Sequence, residues 1–181
     1  MADNRIVVLS GPPGSGKAKV GEILGSRGWE VISLGDVVRD EVKSRGLEPT
    51  STNMSLAAKE LREEFGPSAI MERVLPKIDA VSENNHTVID GIRQIEELER
   101  LQSSQPRIVV IAIDASEEIR RKRVTNRARS DDSHFEDREE REWGWGLEIV
   151  MQLADITIEN NGTEGDFVIK INKALQSIGV I

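Results

Sequence analysis

The sequence predicts an α/β fold in which a five-stranded parallel sheet lies between layers of helices. Short apolar runs alternate with segments of helical spacing along the whole chain, which is typical of a parallel sheet. Residues 107–113 form the clearest run and suit a central strand buried on both faces. A glycine-rich loop, residues 11–17, joins the first strand to the first helix. Together these observations predict a three-layer sandwich.

Bulk composition indicates one globular domain spanning residues 1–181. A net charge of −8 argues against nonspecific nucleic-acid binding. We expect a small-molecule partner, and a monomer or homodimer. The chain has no cysteine, which excludes disulfides and thiolate metal sites. No apolar run approaches the roughly 20 residues of a membrane span. The residues before the first strand lack the apolar core of a signal peptide. We therefore expect a cytoplasmic protein that does not bind membranes.

The elements follow from the apolar periodicity. Predicted strands cover residues 6–9, 29–33, 86–90, 107–113 and 154–158. One predicted helix begins directly after the glycine-rich loop, and another begins at residue 116. The other predicted helices cover residues 34–46, 54–65, 68–81, 94–101 and 167–178. The helical block between the second and third strands, about residues 35–82, is expected to form a flap over the sheet edge. In that block, Leu56, Leu61 and Phe65 are predicted to supply one apolar face.

The glycine-rich loop matches the phosphate-binding P-loop pattern G-x4-G-K. Its residues are Gly11, Pro12, Pro13, Gly14, Ser15, Gly16 and Lys17. Glycines allow backbone N–H groups to converge on phosphate oxygens. The positive end of the following helix and the lysine ammonium add charge. This pattern, between a strand and a helix, predicts a nucleotide site.

Position 18 departs from the pattern. Ala18 stands where the motif has a hydroxyl that contacts magnesium, and Lys19 follows it. The site is therefore either inactive or holds its metal through water and other groups.

Asp36 and Arg39 follow the second strand, at the edge where a parallel sheet binds ligands. Arg39 could bind an acceptor phosphate with its bidentate guanidinium. Alternatively, Asp36 caps the next helix and Arg39 is solvated. The spacing does not decide between them.

Asp90 and Arg93 end the third strand at the same edge. An acid in this position can hold magnesium, directly or through water, and Arg93 could grip a second phosphate. The alternative is a turn in which Asp90 caps the next helix. We favour the functional interpretation, and we rank Asp114, which also ends a strand, below Asp90.

Arginines are concentrated after the fourth strand. Arg120, Arg123 and Arg127 share one helical face, and Arg129, Arg138 and Arg141 follow among many acids. Arginines on a lid, about residues 128–146, would neutralise a transferring phosphoryl group. A solvated, salt-bridged helix would have a similar sequence.

Taken together, these motifs resemble adenylate kinase and other nucleoside monophosphate kinases. The resemblance rests on the P-loop, Ser33-Leu-Gly-Asp36-Val-Val-Arg39, Asp90-Gly-Ile-Arg93, and Arg123-x3-Arg127 with Arg129-x-Asp131-Asp132. It implies that the loop cradles ATP phosphates and that the next two motifs hold the acceptor phosphate and the magnesium waters. It also implies that the last motif is the lid.

More closely, the chain is similar to archaeal P-loop proteins described as related to adenylate kinase or dephospho-CoA kinase. Its ending, Ala154-Asp-Ile-Thr-Ile-Glu-Asn-Asn161-Gly162, is similar to the dephospho-CoA kinase signature. In that family this Asn-Gly turn lies near the ATP base, which implies that Asn161 and Gly162 contact the nucleotide.

The sequence thus predicts an ATP- and Mg²⁺-dependent kinase that phosphorylates a small nucleotide-like acceptor. The expected catalytic residues are Lys17, Arg93, Arg127 and Arg129. The loop, Ala18, Arg123, Asn161 and Gly162 would bind ATP. The expected acceptor ligands are Asp36, Arg39, Arg93, Arg138 and Arg141, with Asp90 at the metal. Dephospho-CoA kinase remains an alternative, as does a nucleotide-dependent ATPase or switch acting on a protein or RNA partner.

Overall fold

The computed structural model describes residues 4–105, 107–127 and 135–179. Its five strands are β1 (Ile6–Ser10), β2 (Glu30–Ser33), β3 (Thr87–Asp90), β4 (Ile108–Asp114) and β5 (Ile156–Glu159). The helices are α1 (Lys17–Gly25), α2 (Leu34–Ser44), α3 (Ser51–Phe65), α4 (Ala69–Ser82), α5 (Ile95–Ser104), α6 (Glu117–Arg127), α7 (Phe135–Gly144), α8 (Leu147–Gln152) and α9 (Glu164–Ser177).

All strand pairs are parallel, and the strands lie in the order β2-β3-β1-β4-β5. The predicted five-stranded parallel sheet is therefore confirmed. The register places Leu9, Ser33 and Asp90 side by side. The carboxyl ends of β1, β2 and β3 thus meet at one edge of the sheet, where ligands bind in open α/β folds.

Two apolar cores lie on opposite faces of the sheet because successive strand residues point to opposite sides. Ile6 and Val8 pack on one face, with residues of α2, α3, α4, α5 and α8. Val7 and Leu9 pack on the other face, against α1 and α9. The chain is a three-layer sandwich, as predicted.

Side-chain hydrogen bonds explain where several elements begin. The Thr50 side chain accepts a hydrogen bond from the Asn53 amide, so α3 starts earlier than the apolar pattern indicated. Thr163 and Asp166 form a capping box that starts α9 before Phe167. The Val110 amide of β4 donates a hydrogen bond to the Asp155 carboxylate at 2.7 Å. This side-chain hydrogen bond immediately precedes the start of β5 at Ile156.

The predicted apolar face of α3 is wrong. Leu56 and Phe65 are 50% and 57% exposed. Leu56 lies five residues before Leu61 and therefore points in a different direction on the helix. Phe65 lies four residues after Leu61, but it is the last residue of α3, and its exposed ring lies 5.4 Å from the Arg73 guanidinium. Ala57, Ala58 and Leu61 form the buried face instead.

The acidic and arginine-rich stretch after α6 contains helical structure that its composition did not indicate. Within the described part of this stretch, α7 spans Phe135–Gly144 and α8 spans Leu147–Gln152. Among all the helices in residues 4–105, 107–127 and 135–179, none is long and apolar enough to cross a membrane.

Candidate functional site

The loop between β1 and α1 has the tight geometry that phosphate binding requires. Gly11 has φ +147°, and a Cβ atom there would lie 2.2 Å from the Ile113 carbonyl oxygen. Gly14 has φ +77°, and a Cβ there would lie 2.6 Å from the Arg120 carbonyl oxygen. Both positions need glycine because the loop packs directly on neighbouring backbone. The loop ends at Gly16, and α1 begins at Lys17 with amides that have no partner inside the helix.

Lys17 is half-buried next to this loop. Its ammonium donates hydrogen bonds to the carbonyl oxygens of Gly11 and Pro12. Burial lowers the pKa of Lys17, and the nearby carboxylates of Asp90 and Glu142 offset only part of that effect. The lysine therefore connects the loop electrostatically with acids from β3 and α7.

Asp90 ends β3 beside Leu9 of β1. Its Oδ1 atom is buried and has no hydrogen-bond partner among the described residues. The helix cap of α5 is Gln94, so Asp90 does not have the alternative capping role. An unpartnered carboxylate oxygen next to the loop fits Mg²⁺, which is commonly held by one or two carboxylates together with substrate phosphates and water.

Ala18 supplies no oxygen to such an ion, and Lys19 is engaged elsewhere. The Lys19 ammonium pairs with Glu22 at 3.3 Å and Glu164 at 2.9 Å. No cluster of three or more potential metal ligands occurs within residues 4–105, 107–127 and 135–179. Asp90 is a carboxylate that could hold a magnesium ion at this loop together with phosphate and water.

A pocket of about 170 Å³ opens at the same edge of the sheet, between α2, α3, β3 and α7. Its lining includes five arginines, Arg39, Arg62, Arg93, Arg138 and Arg141, and the two acids Asp90 and Glu142. Four of these arginines and Asp90 were singled out from the sequence. The excess of arginine over acid makes the pocket suitable for an anionic ligand.

Glu142 was not foreseen. It lies at the centre of the arginine cluster, and its carboxylate is 2.9 Å from Nε of both Arg93 and Arg138. Burial raises the pKa of a carboxyl group, but Arg93, Arg138 and Lys17 outweigh burial and lower the pKa of Glu142 to about 2. The i,i+4 spacing of Arg138 and Glu142 is a sequence signal for this pair. It could not indicate that the pair is buried.

The two residues after β2 differ in position. Arg39 lines the pocket, whereas Asp36 is not among the lining residues. Asp36 lies in the first turn of α2 and pairs with Arg39, and the helix cap is Ser33. Asp36 is therefore neither the predicted helix cap nor a wall of the pocket. Asp36 instead pairs with Arg39, which does line the pocket.

The arginines of α6 do not form the single functional group that their spacing suggested. Arg120 is buried; it pairs with Glu139 of α7, and its Nε donates to the Ala115 carbonyl at 2.8 Å. Arg123 donates to the Gly14 carbonyl at 3.4 Å and to the Asn160 carbonyl at 3.0 Å. Arg120 also donates to the Pro13 carbonyl at 3.4 Å, so both side chains brace the loop. These hydrogen bonds leave fewer of their N–H groups for phosphate.

Two further predicted residues cannot be placed. Arg127 ends α6, and its side chain lies outside what the structure describes, as does the whole of Arg129.

Behind the loop, the turn after β5 contributes Asn160, which sequence analysis missed in favour of its neighbour. The buried Asn160 amide donates to the Ser15 carbonyl at 2.8 Å and lies against Gly16. Asn161 instead accepts a hydrogen bond from the Ser116 amide at 2.8 Å, which joins the turns after β4 and β5. Gly162 follows and packs near Asp166 at the start of α9.

The sheet order and the loop define a protein with a P-loop kinase-like α/β fold. A family model described as an AAA domain, AAA_18, matches residues 7–144. The chain belongs to this AAA-domain family and, as its relatives show, to the UPF0200 proteins. It is 36% identical to the UPF0200 protein of Pyrococcus horikoshii, over 96% of this chain and 97% of that protein.

A second relative is longer. The UPF0200/UPF0201 protein of Archaeoglobus fulgidus is 41% identical over 94% of this chain, and the match spans 55% of that protein's length.

Solved structures agree on the fold. TT1252 from Thermus thermophilus is similar with a TM-score of 0.64 and 18% identity, covering 98% of this chain and 97% of that chain. Shikimate kinase from Acinetobacter baumannii, solved with shikimate, has a TM-score of 0.61 and 19% identity, with 97% and 93% covered. These likenesses establish a P-loop kinase-like fold.

Proposed function

We propose that the protein is an ATP- and Mg²⁺-dependent phosphotransferase that phosphorylates a small nucleotide-like acceptor, in the manner of nucleoside monophosphate kinases. The observation that carries the proposal is the arginine-lined pocket next to the P-loop lysine. Lys17 interacts electrostatically with Asp90 and Glu142, and both acids line that pocket. A nucleotide on the loop and an anion in the pocket would therefore meet at the end of β3.

Each side chain has a role that its surroundings support. Lys17 and the loop amides hold the β- and γ-phosphates. Arg39 and Arg93 hold the acceptor, and Arg138 and Arg141 close the pocket from α7. Asp90 holds the magnesium ion, which when bound neutralises phosphate charge. Catalysis is then mainly alignment and charge stabilisation, and alignment can contribute roughly 7–11 kcal/mol.

The flap and the lid are assigned from the sequence pattern. We infer that residues 35–82 are the acceptor flap and residues 128–146 the lid, within one kinase domain. Arg127 and Arg129 would then approach the transferring phosphoryl group when the lid closes. Arg123, Asn161 and Gly162 would border the nucleotide behind the loop, where Arg123 also supports Gly14.

The acceptor class follows from charge. Five arginines against two acids favour an acceptor that is itself anionic. Nucleoside monophosphates have that property, and dephospho-CoA, the alternative acceptor, has it as well. A switch that acts on a protein or RNA partner has no need for a small buried anion site.

The test is acceptor-dependent ADP formation. The protein is incubated with ATP and Mg²⁺, alone and with each nucleoside monophosphate or dephospho-CoA, and ADP is followed over time. The proposal requires one acceptor to raise the ADP rate well above that of ATP alone. Equal rates in every reaction would favour an ATPase or switch instead.

A further inference from the structure

Arg62 is a pocket residue whose guanidinium is only partly used by the protein. It projects from α3 and its side chain is 9% exposed. Its Nη2 donates to Glu97 at 2.7 Å, but its Nε and Nη1 are buried and have no hydrogen-bond partner among the described residues. Glu97 is itself fully buried and also accepts from the Arg93 amide at 3.0 Å, so the position of Arg62 is fixed.

Arg141, which lies on α7, is in a similar state. Its Nε is buried without a hydrogen-bond partner in the described part of the chain. The indole of Trp145 contacts both guanidinium groups, with ring-centroid distances of 4.6 Å to Arg62 and 5.6 Å to Arg141. The aromatic ring keeps two cations near each other within one wall of the pocket.

No carboxylate among the described residues binds these three nitrogen donors, which are Nε and Nη1 of Arg62 and Nε of Arg141. Glu97 binds Arg62 through one nitrogen, while Glu142 is held by Arg93 and Arg138. A buried charged donor left without a partner costs free energy, because the hydrogen bonds that it made to water are not replaced. Because both arginines line the pocket, an anion entering it would relieve that cost.

We propose that Arg62 and Arg141, framed by Trp145, form a second anion subsite in the acceptor pocket. On the proposed function, on which this inference rests, the acceptor therefore carries a second anionic group besides the one held by Arg39 and Arg93. A carboxylate or a phosphate ester would satisfy the subsite, since either accepts the forked N–H donors of arginine. The acceptor class thus narrows from nucleotide-like molecules in general to nucleotide-like molecules that carry two anionic groups.

The subsite is tested without turnover by NMR of ¹⁵N-labelled arginine side chains in the full chain. Inorganic phosphate is the probe, titrated at constant ionic strength against sodium chloride. The Nε–H signals of Arg62 and Arg141, assigned with the variants Arg62→Lys and Arg141→Lys, should shift saturably with phosphate. The inference is overturned if these signals do not move, or if chloride moves them equally.

A coupling experiment adds a matched control. Arg62→Lys keeps a positive charge for Glu97 but loses the several N–H donors of the guanidinium group. The phosphate concentration that half-saturates the Arg141 shift should therefore rise at least tenfold. Arg73→Lys should leave that response unchanged. Arg73 also pairs with an acid, Glu41, and lies 5.4 Å from the ring of Phe65, but it is not among the pocket residues. Equal effects of the two variants would assign Arg62 a structural role and overturn the subsite.

Failure of the subsite and failure of the proposed function are separable. A saturable phosphate response in a protein that phosphorylates no acceptor retains the subsite and removes the kinase. If the protein transfers phosphoryl groups but the Arg62 and Arg141 signals do not respond to phosphate, the kinase is retained and the subsite is removed.

Discussion

The carboxylate of Glu142 lies 2.9 Å from Nε of Arg93, and this ion pair joins helix α7 to the end of strand β3. Arg138, one turn earlier on α7, binds the same carboxylate. The Glu142 side chain is 3% exposed, so the pair is shielded from water. One buried acid therefore holds together two arginines that are proposed to bind the acceptor.

Replacing Glu142 by glutamine should destabilise the fold. The variant leaves two buried guanidinium groups without their counter-charge, and breaking a buried pair from one side costs about 3–5 kcal/mol. We expect the free energy of unfolding in urea to fall by roughly 3 kcal/mol. Glu140→Gln, at an exposed position on the same helix, is the control and should change little. Equal stabilities of the two variants would contradict the account of this ion pair.

The same carboxyl group predicts a pH dependence of stability. Its pKa is about 2 in the folded protein against an ordinary value of 4.5, so folding favours the ionised form. The stabilisation is complete above pH 4.5 and is lost as the pH falls towards about 2. The difference in unfolding free energy between the wild type and Glu142→Gln should shrink over that range. A difference that stays constant from pH 5 to pH 2 would be inconsistent with the lowered pKa.

Lys17→Met should remove catalysis and keep the fold. The Lys17 ammonium donates to the carbonyls of Gly11 and Pro12, and neither apolar core includes this residue, so the fold should persist. Loss of the phosphate contact should lower the transfer rate by a factor of about 10²–10³ or more. Lys19→Met is the control, because Lys19 pairs with Glu22 and Glu164. Turnover by Lys17→Met at the wild-type rate, measured as product formation, would remove the loop from the mechanism.

Gly14→Ala should weaken nucleotide binding. The new Cβ would lie 2.6 Å from the Arg120 carbonyl oxygen, so the loop must shift. Gly28→Ala is the control for backbone strain. Gly28 also has a positive φ, of +86°, but an added Cβ there would have no atom within 4 Å and so no clash. Both variants should be less stable by about 1–3 kcal/mol from the left-handed conformation. ATP affinity, measured by calorimetry, should fall in Gly14→Ala alone, and a similar loss in Gly28→Ala would refute the proposed fit.

Arg39→Ala should act on the acceptor. Arg39 lines the pocket, so its loss should raise the acceptor KM about tenfold or more, with ATP affinity largely kept. Arg45→Ala provides a comparison, since Arg45 pairs with Glu41 and Glu60 and is not a pocket residue. Steady-state kinetics with the identified acceptor measure the effect. Weaker ATP binding with unaltered acceptor kinetics would contradict the assigned role of Arg39.

Sequence reasoning located the parts of the site that depend on strand ends. Parallel strands end at a common edge, so a residue such as Asp90 or Arg93 is placed as soon as its strand is recognised. Arg138 and Arg141 were found through composition, and both line the pocket.

The rest of the site depends on how helices pack. Arg62 and Glu142 each lie in a charge-rich helix whose sequence is equally typical of a solvated surface, and only the contacts of α3 and α7 bury them. Arg120 shows the reverse, since an arginine suited to a lid is buried against Glu139 and braces the loop. Asn160 was passed over for Asn161 because a turn sequence does not reveal which amide faces inward.

The most direct test of the central claim follows the phosphoryl group itself. The wild type and Lys17→Met are incubated with ATP labelled by ¹⁸O in its γ-phosphate, Mg²⁺, each nucleoside monophosphate and dephospho-CoA. Mass spectrometry then locates the label. The account predicts one labelled acceptor with the wild type and none with the variant. Label found solely in inorganic phosphate, whichever acceptor is present, would contradict phosphoryl transfer and identify the protein as an ATPase.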